Sequence, residues 1–196
     1  MLRRVSPGLF AALFLCVTPA ARADMYLTTL TGAAEAPPNA SPGLGVAIVT
    51  FDPVAHILRI QTTFGGLLGT VTAAHIHAAT ATPGAGTAGV ATQLPSLTGF
   101  PTGVTLGAYD HTFDSSLAAT WNPAYIAANG GTTAGAEAAL LAALNGGKAY
   151  LNIHTSSFPG GEIRGFLSPV PEPSQYVLAL LGGIGFLATR LRRTRR

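Results

Sequence analysis

The residues of this chain best suited to chemistry are His75, His77 and His154. His75 and His77 close the run Val71–His77, whose composition predicts a strand. Side chains alternate along a strand, so the two imidazoles share one face while Ala74 and Ile76 take the other. A His-x-His pair on a strand presents two nitrogens to one metal ion, and His154, near the end of a second predicted strand, can supply a third. Copper and zinc suit such a donor set, and no other cofactor is implied. The same rings can instead bond loop carbonyls or a carboxylate and lock the sheet. From the sequence alone that structural role is the stronger reading, with the metal centre as its alternative.

A second group of polar residues lies in the last hairpin. Strands over Lys148–His154 and Glu162–Leu167 are joined by Thr155-Ser156-Ser157-Phe158-Pro159-Gly160-Gly161. Leu151, Ile153, Ile163 and Leu167 form its core face, and Tyr150, Asn152 and His154 point away. A loop that closes symmetrically sets His154 opposite Glu162 and Asn152 opposite Arg164. The spacing therefore predicts one polar cluster of His154, Glu162, Asn152 and Arg164, in which Glu162 and Arg164 pair ionically rather than act as catalytic acid and clamp.

Other chemistries find little support, and no catalytic residue is assigned. Cys16 is the single cysteine and precedes the domain, which excludes a thiol nucleophile and a cysteine zinc site there. Ser156 and Ser157 lie near His154, but no G-x-S-x-G elbow occurs. Asp110, His111 and Asp114 read as a solvated loop rather than a calcium site. Trp121 and Tyr125, beside Asn122-Pro123, read as a packing cluster rather than a sugar-stacking platform.

The termini speak of location. Arg3 and Arg4, the apolar stretch Leu9–Val17 and the A-x-A site Ala21-Arg22-Ala23 make a Sec-type signal peptide over residues 1–23, cut by signal peptidase after translocon export. At the other end, Pro171, Glu172 and Pro173 precede an apolar run over Tyr176–Thr189 and the basic stop Arg190, Arg192, Arg193, Arg195 and Arg196. A membrane helix over 176–191 is expected, with the C-terminus cytoplasmic by the positive-inside rule. The uncharged run is short against the roughly 20 residues a span usually needs, which favours a transient anchor. Between Asp24 and Val170 seven acidic residues face three basic ones, a net charge of −4. The chain's basic balance belongs to its termini, and the domain has no basic patch for nucleic acid.

The order Val170-Pro171-Glu172-Pro173-Ser174, apolar helix, arginine-rich end resembles the PEP-CTERM sorting signal of Gram-negative bacteria, placed over 169–196. The resemblance implies recognition by an exosortase-type membrane enzyme, cleavage near the motif, and passage from a transient inner-membrane anchor to the cell surface of an exopolysaccharide-producing, biofilm-forming bacterium.

The segment 24–168 is punctuated as β-structure. Strands are expected over Met25–Thr31, Gly45–Phe51, His56–Phe64, Val71–His77 and Gly103–Phe113, besides the last hairpin. Asp52-Pro53-Val54-Ala55 is the turn of a hairpin. One helix is expected over Thr133–Leu144, capped by Thr132 or Thr133 and ended at Gly146. Seven or eight strands and one short helix suggest an all-β antiparallel sandwich or barrel, of immunoglobulin-like or superoxide-dismutase-like form.

Four stretches carry a second resemblance: Thr31-Gly32-Ala33-Ala34-Glu35, Ala74-His75-Ile76-His77, Ala149-Tyr150-Leu151-Asn152-Ile153-His154-Thr155 and Pro159-Gly160-Gly161-Glu162-Ile163-Arg164-Gly165. Together they resemble a CHRD domain over roughly Tyr26–Leu167, which implies a β-sandwich or barrel and no settled activity in bacteria. The His-x-His followed by a Gly-rich loop is also slightly similar to copper–zinc superoxide dismutases, whose full ligand set is absent here. The expectation is thus an exported, non-enzymatic surface or matrix protein that binds exopolysaccharide or another surface protein. The alternative is an extracellular copper- or zinc-binding module.

Overall fold

The computed structural model describes residues 23–171. The signal peptide through Arg22, the sorting motif from Glu172 onward, the apolar run and the basic stop lie outside them. No helix among the described residues is long and apolar enough to cross a membrane.

Eight strands form one antiparallel sheet in the order β4-β6-β7-β1-β2-β3-β5, with the short β8 also on β1. They are β1 (Asp24–Thr31), β2 (Leu44–Asp52), β3 (Ile57–Gly65), β4 (Val71–His77), β5 (Gly107–Asp114), β6 (Tyr150–Thr155), β7 (Ile163–Phe166) and β8 (Ser168–Pro169). The all-β expectation stands; in place of the expected sandwich or barrel the strands form a single curled, half-barrel sheet.

Curling follows from the alternation. Tyr26 and Leu30 of β1, Ala47, Val49 and Phe51 of β2, and Leu58, Ile60 and Phe64 of β3 are buried on one face. Ala74 and Ile76 of β4, Leu151 and Ile153 of β6 and Ile163 of β7 are buried on the same continuous face, which wraps around a shared core. Each of the larger aliphatic or aromatic side chains among them, fully withdrawn from water, stabilises the fold by roughly 1.5–3 kcal/mol before entropy is counted.

The β2–β3 hairpin turns where predicted. Asp52 Oδ1 accepts from the amides of Val54 and Ala55 at 3.0 and 2.9 Å, and His56 takes a φ of 57° to complete the turn.

Two α-helices follow β5. α2 (Thr133–Asn145) starts one residue after its cap Thr132, whose side chain accepts from Gly135 N, and runs one residue past the predicted end. α1 (Pro123–Ala128) is a turn and a half that strand-and-loop reading missed; Pro123 opens it and the Asn122 side chain caps it. Glu137 of α2 ties the helix to the sheet. Its carboxylate accepts from Ser115 Oγ and lies 2.9 Å from His56 Nδ1. Trp121 and Tyr125 are buried and stacked with centroids 6.1 Å apart, the indole donating to Ser115 O at 2.8 Å, so they form the expected packing cluster.

β4 would be an open sheet edge, but the segment 88–97 lies along it. Ala91 N donates to Ile76 O at 2.9 Å and Leu97 N to Ala74 O at 3.0 Å. This strap covers the edge and brings its own carbonyls beside the β4 histidines.

Candidate metal centre

His75, His77 and His154 converge. β4 pairs with β6 in a register that sets His75 opposite Asn152 and His77 opposite Tyr150. Period-two geometry therefore puts His75, His77, Tyr150, Asn152 and His154 on the face opposite the core. One ring nitrogen of each histidine lies within 4.8 Å of the others. The rings meet edge to face or tilted, with centroids 5.3–5.8 Å apart.

Each ring is fixed by a backbone carbonyl. His75 Nε2 lies 2.7 Å from Pro95 O, His77 Nδ1 2.9 Å from Ala88 O, and His154 Nδ1 2.9 Å from Pro159 O. A carbonyl only accepts, so each of these nitrogens must carry the proton and donate. The tautomers are thereby set, leaving a lone pair on His75 Nδ1, His77 Nε2 and His154 Nε2. These three atoms are buried, and no group among the described residues bonds them. The orienting carbonyls come from the strap, Ala88 and Pro95, and from the hairpin loop, Pro159, much as the second nitrogen of a metal-bound histidine is held by an outer partner.

Electrostatics keeps the rings neutral. Burial pushes His77 down to about 4, opposed by its bond to Ala88 and helped by His154, His75 and Arg164. His75 is lowered by burial, against its bond to Pro95, and His154 likewise by burial against Pro159. Neutral imidazole is the form that binds a metal. A tetrahedral ion at about 2.0–2.1 Å sets its nitrogens about 3.4 Å apart, inside the 4.8 Å within which these lie, so loading would draw the rings together.

The polar hairpin cluster divides. Asn152 does pair with Arg164, as the loop symmetry predicts. Glu162 does not join His154. Its carboxylate turns to the opposite side, accepting from Ser41 Oγ at 2.6 Å, Leu68 N at 2.6 Å, Gly69 N at 3.0 Å and Thr155 Oγ1 at 2.6 Å. Gly161 precedes it at a φ of 129°, where the chain changes direction. Burial pushes the Glu162 carboxyl up, but these donors outweigh it and hold it below its ordinary value. Glu162 is therefore a clasp joining three loops.

Nor does Arg164 pair with Glu162. Its Nε donates to Ala34 O and lies 3.7 Å from Glu35 Oε2, with both side chains buried. Burial pushes Glu35 up to about 7, opposed by Arg164 and the Ala36 amide. The guanidinium also sits 4.8 Å over the Tyr150 ring, which stacks on His77 with centroids 4.8 Å apart and planes 2° from parallel. Glu35 and Tyr150 are thus the residues of this region that sequence reasoning did not assign. Glu35 lies in a Pro-rich loop with no local signal, whereas the alternation of β6 does put Tyr150 on the histidine face.

The remaining candidates do not converge on this centre. Asp110, His111 and Asp114 lie on strand β5 rather than in the loop expected; Asp110 accepts from Arg59 at 2.8 and 2.6 Å, and Asp114 holds the following turn through Ser116. Pro171 and Ala23 lie at the limits of the described residues.

The described residues thus form a curled antiparallel sheet with a cluster of three histidines on the face opposite its core. The chain belongs to the CHRD domain family, whose model matches residues 26–167. No curated protein and no solved structure matches the chain.

Proposed function

We propose that this is an exported domain whose molecular task is to hold one transition-metal ion, copper or zinc, between His75, His77 and His154. One observation carries the reading. Three buried nitrogens within 4.8 Å of one another have lone pairs that no group among the described residues engages, while the other nitrogen of each ring is held by a carbonyl. Rings that only locked the sheet would use their carbonyl bonds and have no reason to aim three lone pairs at one another, a costly arrangement for buried acceptors. This geometry supports the metal reading of these rings beside the structural one.

The place of action rests on the sequence. The signal peptide and the tripartite C-terminal signal support Sec export, transient membrane anchoring and exosortase sorting to the cell surface. There the domain acts in the extracellular matrix as a non-enzymatic binding protein, in contact with exopolysaccharide or a surface protein.

Metal analysis of the purified protein tests the first part: one equivalent of copper or zinc is expected, and its loss in His75→Ala and His77→Ala. No stoichiometric metal, or affinity unchanged in both variants, ends the metal reading. Cell fractionation tests the second, and an unprocessed cytosolic chain overturns it.

A further inference from the structure

The surroundings of the three histidines say which ion and which charge state the site prefers. The donors are three neutral imidazoles, with no carboxylate or thiolate among them. The face behind His77 carries a column of Tyr150 and then Arg164, with successive spacings of 4.8 Å from ring to ring and from guanidinium to ring. Arg164 is 4 % exposed and Tyr150 2 % exposed, so water screens the guanidinium little. Its counter-charge, Glu35, stands off at 3.7 Å.

We infer that the ion is copper and that the site favours its cuprous over its cupric state, an inference that rests on the metal reading above. The solvation lost on burying an ion rises steeply with its charge, so a neutral donor set penalises a dication more than a monocation. A buried cation nearby adds repulsion that is proportional to the charge of the ion. Among the described residues the cluster has no fourth protein donor, which suits a low-coordinate monovalent copper, whereas divalent copper and zinc would have to draw a further ligand such as water into the site. The outer shell, by its dielectric and fixed charge, then tunes the redox balance of the site. In this arrangement Arg164 is a positioning and field residue that does not touch the metal, and Tyr150 holds the plane of His77.

Competition against chromogenic chelators, anaerobic for cuprous and aerobic for cupric ion, measures both dissociation constants on the purified full chain. Tighter cuprous than cupric binding is expected. Arg164→Gln should lower the ratio of cuprous to cupric affinity by about tenfold or more. Glu35→Gln, which removes the counter-charge and keeps the guanidinium, should raise it, and this variant keeps the test decisive where Arg164→Gln does not fold. A purely structural role would weaken both ions alike and leave the ratio unchanged. Tighter cupric binding in the parent protein, or ratios unmoved in the folded variants, overturns the inference while the metal site stands. Absence of binding by either ion and by zinc removes the metal reading itself.

Discussion

His154 Nδ1 donates to the carbonyl of Pro159 at 2.9 Å, so the loop that closes the last hairpin also aims one of the three candidate ligands. The loop in turn depends on Gly161. At its φ of 129° a Cβ is strained, and it would lie 2.6 Å from the Asn152 amide and 2.7 Å from Glu35 Oε1. Gly161→Ala is expected to cost about 1–3 kcal/mol in stability and to weaken metal binding with it. Chemical denaturation and metal competition on the same sample check both, and a variant as stable as the parent contradicts the prediction.

Acid should destabilise the metal-free domain. Folding lowers the affinity of the His77 ring for protons, from 6.5 to about 4. The unfolded chain then binds more protons, so this contribution is complete above about 6.5 and is lost as the pH falls toward 4. For His77 alone the loss is on the order of 3 kcal/mol. His75 and His154 shift the same way and steepen the fall. Unfolding titrations across that window measure it, and a bound ion should increase the acid sensitivity because protons compete for the same nitrogens.

Glu35 acts in the opposite sense. Its folded value of about 7 lies above the ordinary 4.5, so its contribution is complete below about 4.5 and is lost as the pH rises through 7. Glu35→Gln should flatten the alkaline side of the stability profile. Thermal melts at a series of pH values from 5 to 9, a range chosen to bracket that titration, provide the measurement; an unchanged alkaline slope counts against the assignment.

Glu162→Gln should destabilise the fold by about 2–3 kcal/mol, because charge-assisted bonds from Ser41, Thr155 and the amides of Leu68 and Gly69 are replaced by neutral ones. The carboxyl is held below its ordinary 4.5, so the parent's advantage is present above that pH and disappears as the pH falls through the lower folded value. The two proteins should therefore converge in stability in strong acid. Metal stoichiometry should not change, since Glu162 faces away from His154.

Much of this arrangement is determined by the sequence alone, because faces follow from period. The alternation of β4 puts His75 and His77 on one side, and that of β6 puts His154 with Tyr150 and Asn152. The capped, Leu- and Ala-rich stretch from Thr133 forms α2 almost as bounded by its end signals. The symmetric loop sets Asn152 against Arg164.

Tertiary structure alone decided the partners. Glu162 follows a glycine that reverses the chain, so its carboxylate meets amides more than ninety residues earlier, at Leu68 and Gly69, instead of His154. Glu35 reaches Arg164 from a loop whose path no periodicity encodes. The carbonyls of Ala88, Pro95 and Pro159 that set the tautomers come from irregular segments laid against the sheet by its curl. A strand's period fixes which side a histidine faces; only the folded path of the loops fixes which nitrogen of each ring carries the proton, and therefore which one keeps a lone pair.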